Sequence, residues 1–458
     1  MKKTITLALS TSFLLGFAAS VLAADGDVLA KEGTKVTLDG NIRMRGRMFK
    51  DTVKDGHAAT SYDGRVQLGT GVVMSPKISG YIQLETGDGS SDVYTWGNGT
   101  SSGLNTGGSK QSASTSVNCA DVDGDDKITA ADKNVNGTCQ QVQSVSSTDA
   151  TDLSLAQAWI NFKITDMIGT KVGHVPLALG NKTFFDHSPS GDDTIIFYAD
   201  PTPETHVGLL TIKFEEGSAG TNKDDINGYV ALLSQKLGGD MKLGANITNL
   251  RNTAGEMDAY NLGVDFAGKF GPASVNVDLQ YQLGDWATNY SASGWCFRAE
   301  AGMAAGPANV GVILGYGTGD DTSTANDGEG FVNFLADVKY ETLIVGYAAA
   351  VPGQTIDSRL SNMLLIQANG AMKLNDDISV SATLTYMSLN ETDKWSNGVE
   401  KESDIGLELD AFMTYKLGNG LSYGIEFGYL MAGDAWQAAY NGDVEDSYYL
   451  RHTLNLNF

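Results

Sequence analysis

The strongest constraint on this chain is a strict alternation of apolar and polar side chains. The segment ISVSATLTYMSL places Ile378 and Val380 on one face and Ser379 and Ser381 on the other, and LSYGIEFGYLM and SVNVDLQYQL repeat the pattern. A period of two residues indicates β-strands. The alternating segments are about ten residues long, which is the length that a tilted strand needs to cross a bilayer.

The polar faces of these segments carry charged side chains, and the apolar faces often end in an aromatic ring. A soluble sandwich also alternates, but its strands are shorter and its polar face lies outside. Lipid cannot satisfy a free sheet edge, so strands that cross it must close into a barrel. We therefore predict an all-β fold, a transmembrane antiparallel β-barrel with an apolar outer face and a water-filled interior.

Short turns alternate with longer polar loops, as in barrels with short periplasmic turns and long extracellular loops. Eighteen strands fit this arrangement, with sixteen or twenty as alternatives. We treat 318–360 as one long loop, although FVNFLADVKY and ETLIVGYAAA within it could form two more strands. The predicted strands lie at 35–49, 62–74, 78–86, 154–164, 171–180, 193–200, 205–214, 226–235, 241–250, 258–268, 274–284, 295–304, 308–317, 361–374, 378–389, 404–417, 421–432 and 448–458.

The N-terminus predicts export. Lys2 and Lys3 precede the apolar run ITLALSTSFLLGFAASV, and small residues follow in VLAADG, so we expect a signal peptide at 1–23 and a single barrel domain at 24–458. The mature part has no apolar run of about eighteen residues, so no transmembrane helix is expected. The net charge of −24 argues against a nucleic-acid partner, which requires a basic face.

The chain ends in YYLRHTLNLNF, a long alternating segment whose last residue, Phe458, is aromatic. This end, together with the architecture of the whole mature chain, resembles the bacterial outer-membrane porins with sixteen to eighteen strands. The resemblance implies an outer-membrane location among lipid and lipopolysaccharide, and a channel for passive diffusion of small hydrophilic solutes and ions. A monomer and a homotrimer both fit. A channel selective for an anionic solute or a saccharide is the alternative, and few inward aromatic rings are expected.

The first strand, KVTLDGNIRMRGRMF, places Arg43, Arg45 and Arg47 on its inward face. In a closed barrel the neighbouring strands add Arg65 and Arg451, so we predict one basic wall in the pore. Opposed walls of opposite charge would set a transverse field that sorts solutes by charge, whereas ordinary ion pairs are the plainer alternative. The predicted inward carboxylates are those of Asp265, Asp278, Glu300, Glu408, Asp410 and Glu426.

The loop GNKTFFDHSPSGDD, residues 180–193, is the candidate constriction. The segment VGHVPLALG before it is similar to the strand that precedes the inward-folded third loop of porin-like families. If the loop folds inward, it brings carboxylates into the pore opposite the arginines; a surface loop is the alternative. Its predicted pore-lining residues are Asp186, Asp192 and Asp193, with His187 beside them.

A calcium-like motif, DVDGDDKITAAD, lies between Cys119 and Cys139 in the predicted extracellular loop 87–153. Hard Ca²⁺ prefers six to eight oxygen ligands, which this spacing can supply. The motif resembles an EF-hand and, more closely, a dockerin loop, but Asp126 stands where a turn glycine is expected. We expect a structural Ca²⁺ and a Cys119–Cys139 disulfide, with a stapled acidic surface loop as the alternative. The predicted ligands are Asp121, Asp123, Asp125, Lys127 through its carbonyl, Thr129 and Asp132.

The remaining reactive residue types indicate no enzyme. Cys296 and Arg298 are predicted to face the lumen, the cysteine as an inert filler and the arginine as a pore-lining residue. The five histidines are scattered, so no zinc site is indicated. The sequence indicates neither a nucleophile elbow between a strand and a helix nor a phosphate-binding loop.

Overall fold

The computed structural model describes residues 33–54, 56–86, 153–188, 191–217, 225–252, 255–321, 323–324, 326–334, 341–346, 348–349, 359–392, 402–440 and 443–458, with strand segments at 28–29, 94–95, 110–114 and 144–148. The predicted signal peptide and the calcium-like motif with its two cysteines lie outside these residues.

Eighteen long strands run through the described residues, and each pairs with the next in an antiparallel ladder. In chain order they are β1 (Lys35–Lys50), β2 (Ala59–Ser75), β3 (Ile78–Thr86), β4 (Leu153–Lys163), β5 (Ile168–Val175), β6 (Asp192–Thr202), β7 (Thr205–Glu215), β8 (Ile226–Gly238), β9 (Met241–Asn252), β10 (Met257–Phe270), β11 (Ala273–Ala287), β12 (Trp295–Ala305), β13 (Ala308–Gly317), β14 (Met363–Lys373), β15 (Ile378–Leu389), β16 (Asp404–Gly418), β17 (Leu421–Ala432) and β18 (Ser447–Asn457).

The sheet closes on itself where β1 pairs with β18. The register runs from Asn41 opposite Asn457 to Lys50 opposite Tyr448, and the terminal Phe458 exchanges two backbone hydrogen bonds with Gly40. Closure leaves no free edge, as a strand crossing lipid requires. The predicted fold class, an all-β closed antiparallel barrel with eighteen strands, is therefore confirmed.

The predicted strand positions agree with the observed ones to within a few residues at most ends. The largest difference is in β5, which ends at Val175 rather than at residue 180 because the chain turns inward there. Within 318–360, the described residues contribute only the short strand Asp327–Gly328 to the sheet, which pairs with Tyr290–Ala292. The choice of one long loop rather than two further strands was therefore right for the described part of this segment.

Alternation places large apolar side chains on the outer face of the barrel. Ile160, Leu209 and Val312 are 62%, 57% and 56% exposed, whereas inward residues such as Gln282 and Thr385 are fully buried. This is the reverse of a soluble protein and matches a barrel that faces lipid. In the part of the chain that the structure describes, no helix is long and apolar enough to cross a membrane.

An apolar core lies inside the barrel rather than between layers. Two loop segments enter the lumen: residues 176–188, between β5 and β6, and residues 341–346, between β13 and β14. The first buries Leu177, Phe184 and Phe185 against Ile196 and Ile212, which point inward from β6 and β7. We call these the first and second inserted segments.

Candidate functional site

Five arginines share the inner face of three adjacent strands: Arg43, Arg45 and Arg47 on β1, Arg65 on β2 and Arg451 on β18. Arg43 stands opposite Arg65, and Arg47 stands opposite Arg451. Their outward neighbours on β1 include Leu38, which is 53% exposed, so the arginines point into the barrel. We call this set the basic wall.

Asp63 on β2 supplies a carboxylate within the basic wall. It accepts a bond from Arg45 Nε at 2.7 Å and contacts Arg47 Nη2 at 2.9 Å, and its side chain is fully buried. Arg451 forms an ion pair with Glu426 on β17. Charge-assisted contacts of this kind restrict the orientation of the guanidinium groups. Asp63 was missed in the sequence, although the alternation that placed Arg65 inward also places Asp63 inward.

Two inward carboxylates on β16, two strands from β18, have a different environment. Glu408 and Asp410 on β16 point inward, but both are fully buried. Glu408 accepts hydrogen bonds from the backbone N–H groups of Ile344 at 2.6 Å and Val345 at 3.1 Å. The second inserted segment therefore covers these carboxylates.

Arg298 on β12 holds the same segment. Its Nε donates to Glu341 at 2.7 Å and its Nη1 to Glu300 at 3.2 Å, and its side chain is 3% exposed. The expectation that Arg298, Glu408 and Asp410 line open water is corrected by this burial. They face the lumen, and their hydrogen-bonding groups are used to anchor a loop.

The first inserted segment crosses the lumen to β11. Asp278 on that strand accepts hydrogen bonds from Asn181 N at 3.1 Å and from Thr183 Oγ1 at 2.7 Å. Asn181 also donates from Nδ2 to Asn276 Oδ1 at 2.7 Å. The loop predicted as a constriction therefore does fold inward, and its tip is fixed by a buried carboxylate.

The three acidic residues of this loop have three separate positions. Asp186 is buried and accepts from Ser188 N at 3.1 Å, with Lys182 Nζ also 3.1 Å away. Asp192 starts β6 facing inward, 2.8 Å from His187 Nδ1. The expected pore-lining position of Asp193 is wrong, because it lies on the outward face of β6 with its side chain 74% exposed, beside His174.

Aromatic rings occur on the inner face near the short-turn end, contrary to the expectation of few. Tyr81 on β3 and Trp159 on β4 are directly paired, and Tyr198 on β6 donates to Asn161 Oδ1 at 3.0 Å. Lys171 Nζ on β5 lies 3.7 Å from the centre of the Trp159 ring. The outward position of Ile82 would have placed Tyr81 inward, but in a nine-residue strand both read as apolar.

The pKa values of two ionisable groups in the loops are shifted. Burial, with a hydrogen bond to the Asp320 carboxylate at 3.0 Å, raises the pKa of Tyr290 to about 12. The hydrogen bond from Lys54 Nζ at 2.5 Å lowers the pKa of the exposed Asp443 carboxyl. The Lys54–Asp443 contact joins the β1–β2 loop to the β17–β18 loop, next to the pairing of β1 with β18 that closes the barrel.

Other reactive groups give no second site. Cys296 is buried on the inner face of β12 and is a free thiol. Within the described residues, no group of three or more His, Cys, Asp or Glu side chains is placed to hold a metal ion. The calcium ligands and the disulfide predicted between Cys119 and Cys139 lie outside these residues and remain predictions.

No family model matches this chain, and no curated protein matches its sequence. Solved structures do match it in shape. Among them is OccK8 (OprE) of Pseudomonas aeruginosa, with 9% identity and a TM-score of 0.55 over 95% of this chain and 99% of that one.

Two further similar structures from the same organism are described with small molecules. OccK2 (OpdF) in complex with glucuronate has 10% identity and a TM-score of 0.55, covering 92% of this chain and 98% of that chain. OpdK with vanillate has 8% identity and a TM-score of 0.52 at the same coverage. At such low identity the likeness shows the fold alone: this chain has the fold of an outer-membrane channel.

Proposed function

We propose that this chain is an outer-membrane channel, without enzymatic activity, for small hydrophilic solutes and that it favours anions. The observation that carries the proposal is the basic wall, five arginines on one continuous inner face of β18, β1 and β2. An arginine stays charged at any relevant pH, so this face keeps its positive potential. A charged lining of fixed sign sorts ions by charge as they pass.

The two inserted segments support a selective channel over an open diffusion pore. An empty barrel of eighteen strands leaves a wide aqueous lumen. Here the anchors on Asp278, Arg298 and Glu408 hold two loop segments inside that lumen, on strands other than the three that carry the basic wall. Solutes then pass along a narrower path beside the arginines. General passive diffusion of small hydrophilic solutes and ions is the second candidate.

The similar structures with glucuronate and vanillate add support, since both molecules are carboxylates. A carboxylate is the group that a guanidinium binds with two parallel hydrogen bonds. We infer that an organic acid is the favoured class of solute, ahead of a neutral saccharide.

The test is single-channel recording of the purified protein in a planar bilayer under a salt gradient. We expect discrete conductance steps and a reversal potential whose sign shows that anions carry most of the current. An absence of steps would contradict the channel, and a cation-selective reversal potential would contradict the role of the basic wall.

We further propose, from the sequence, that residues 121–132 bind a structural Ca²⁺ within a Cys119–Cys139 disulfide. Such a staple around a loop of about twenty residues stabilises it by roughly 3 kcal/mol. We expect a chelator to raise the rate of protease cleavage in 87–153, and Asp121→Ala to remove that chelator effect. Equal cleavage with and without chelator in the parent protein would contradict the metal. Cys119→Ser with Cys139→Ser tests the staple separately.

We place the protein in the outer membrane, in contact with lipid and lipopolysaccharide, after removal of a signal peptide at 1–23. Chemical cross-linking of the detergent-solubilised protein distinguishes a monomer from a homotrimer. N-terminal sequencing of protein extracted from outer membranes should begin at Ala24 if the cleavage site is right.

A further inference from the structure

We propose that Tyr81, Trp159 and Lys171 form a second solute site, which contacts the aromatic ring of an organic acid after it leaves the basic wall. The inference rests on the proposed channel function and adds to it the chemical class of the solute. The three side chains lie on neighbouring strands, β3, β4 and β5, and all point into the lumen.

The site lies on the same side of the barrel as the basic wall but nearer the short-turn end. Tyr81 reaches Asp39 on β1, which precedes Arg43 by four residues. Four residues of a strand span about 13 Å. A small solute cannot contact both places at once, so the two act in sequence along one path.

Tyr81 is held in a fixed position across β2. Its hydroxyl donates to Asp39 Oδ1 at 2.7 Å, and the ring passes over Gly69 and Gly71. A Cβ atom at Gly69 would lie 2.1 Å from the Tyr81 hydroxyl oxygen, so only glycine allows this path. A ring that is already immobile loses little conformational entropy when a solute binds to it.

Trp159 extends the aromatic surface beside Tyr81. The two ring centroids are 5.9 Å apart with an interplanar angle of 28°. The indole Nε1 donates to Gln157 Oε1 at 3.3 Å, and Gln157 in turn donates to Gln83 at 3.0 Å. Both rings are partly exposed while their polar atoms are engaged, so what they offer to a solute is ring carbon.

The ring carbons of Tyr81 and Trp159 form an apolar surface among polar side chains. The adjacent inner-face residues are amides, including Asn41, Gln67, Gln83 and Gln157. Exposed apolar surface surrounded by polar groups marks a place where the apolar part of a ligand binds. Aromatic pairs in offset-stacked or edge-to-face contact gain stability beyond their buried area.

Lys171 places a positive charge beside the Trp159 ring. Its Nζ lies 3.7 Å from the Trp159 ring centre, within the range of a cation–π contact, and only 5% of the residue is exposed. Rings together with a cation complement a solute that carries both an aromatic ring and a carboxylate. Acetate or chloride would interact with the charge alone.

The inserted segments are anchored elsewhere. Their hydrogen bonds described above end on β11 and β12, eight and nine strands from β3 in the closed sheet, and on β16, five strands from it. None of these hydrogen bonds ends on β3, β4 or β5, the strands that carry the aromatic pair and Lys171.

The experiment measures block of chloride current through the full-length channel in a planar bilayer, with benzoate or acetate added as the probe. In the parent protein, benzoate is expected to halve the current at about five-fold lower concentration than acetate. This ratio corresponds to the binding free energy of about one aromatic contact. Trp159→Leu and Tyr81→Leu should remove this preference and leave the acetate value unchanged. Trp159→Phe, which keeps a ring, should retain part of it.

Trp295→Leu is the matched control, because Trp295 lies on the outer face of β12, 38% exposed and stacked on Tyr316. It should leave the ratio of benzoate to acetate unchanged. An effect of Trp295→Leu as large as that of Trp159→Leu would assign the change to barrel assembly and overturn the site.

If a variant does not assemble, block of the parent channel by benzoate and by acetate still tests the proposal. Equal block by benzoate and acetate, in a channel that still prefers anions, overturns the aromatic site and leaves the proposed function standing. An absence of conductance overturns both. A preference for glucuronate as large as that for benzoate overturns the aromatic assignment in favour of a saccharide site.

Discussion

The arginines of the basic wall and the buried inward carboxylates come from the same sequence pattern but have different roles. The arginines of β1, β2 and β18 stay on the wall, with Asp63 and Glu426 as fixed partners. The carboxylates of Asp278 and Glu408 are covered by loop segments that they bind. Charge on an inner face therefore does not by itself identify a surface that solutes meet.

The difference has a simple chemical cause. A segment of irregular backbone that enters the lumen brings N–H groups that must find acceptors. A carboxylate offers two acceptor oxygens and no donor, so it satisfies such groups well. A guanidinium has only donors and cannot accept from an N–H group. An inward carboxylate is thus a natural attachment point for an inserted segment.

The largest effect should come from removing the anchor of the second inserted segment. Glu408→Ala removes two hydrogen bonds and leaves the buried N–H groups of Ile344 and Val345 without this acceptor, at a cost of roughly 1–3 kcal/mol each. We expect release of 341–346, with higher and noisier single-channel conductance and new protease cleavage in this segment. Glu300→Ala is the control, because Glu300 contacts the same Arg298 but binds no backbone group of that segment in the bonds described. Unchanged conductance and cleavage in Glu408→Ala would show that the carboxylate is not the anchor.

The basic wall should give the next largest effect. Replacing Arg43, Arg45 and Arg47 by Ala removes three charges from one face, and the ratio of anion to cation permeability should fall roughly ten-fold at low salt. The reversal potential under a salt gradient measures this ratio. Replacement of the same three residues by Lys keeps the charge and should keep the selectivity. A ratio that stays unchanged with Ala would assign the selectivity to another part of the lumen.

The arginines and the buried carboxylates also differ in how much of their environment the sequence predicts. Alternation is a local property, so eighteen strands and the inward positions of Arg43 and Arg451 could be predicted. Closure of the sheet then places those two strands side by side. The contacts of Thr183 with Asp278 and of Ile344 with Glu408 join residues 95 and 64 positions apart. The loop sequences have no periodic pattern from which these contacts could be predicted.

A smaller effect should follow from the carboxylate inside the basic wall. Asp63 lies between Arg45 and Arg47, so Asp63→Asn removes one negative charge while keeping a side chain of the same shape. We expect the anion-to-cation permeability ratio to rise by about two- to three-fold. The reversal potential again measures it, and Gln67→Glu, which adds a negative charge at an inward position of the same strand, should shift it the other way. A fall in anion preference with Asp63→Asn would mean that Asp63 acts mainly by holding the two guanidinium groups in place.

The smallest effects should come from two consecutive aspartates, one of which faces the inside of the barrel and the other the outside. Asp192 faces inward beside His187, and Asp193 faces outward beside His174. Asp193→Asn should leave the reversal potential unchanged, because the sheet separates its carboxylate from the lumen and solvent ions screen it within about 10 Å at 0.1 M salt. Asp192→Asn, the matched change one residue earlier, should raise the preference for anions slightly, since it removes a negative charge from the path. The reverse ranking would mean that β6 is registered one residue away from its place here, because a slip of one residue exchanges the two faces of a strand.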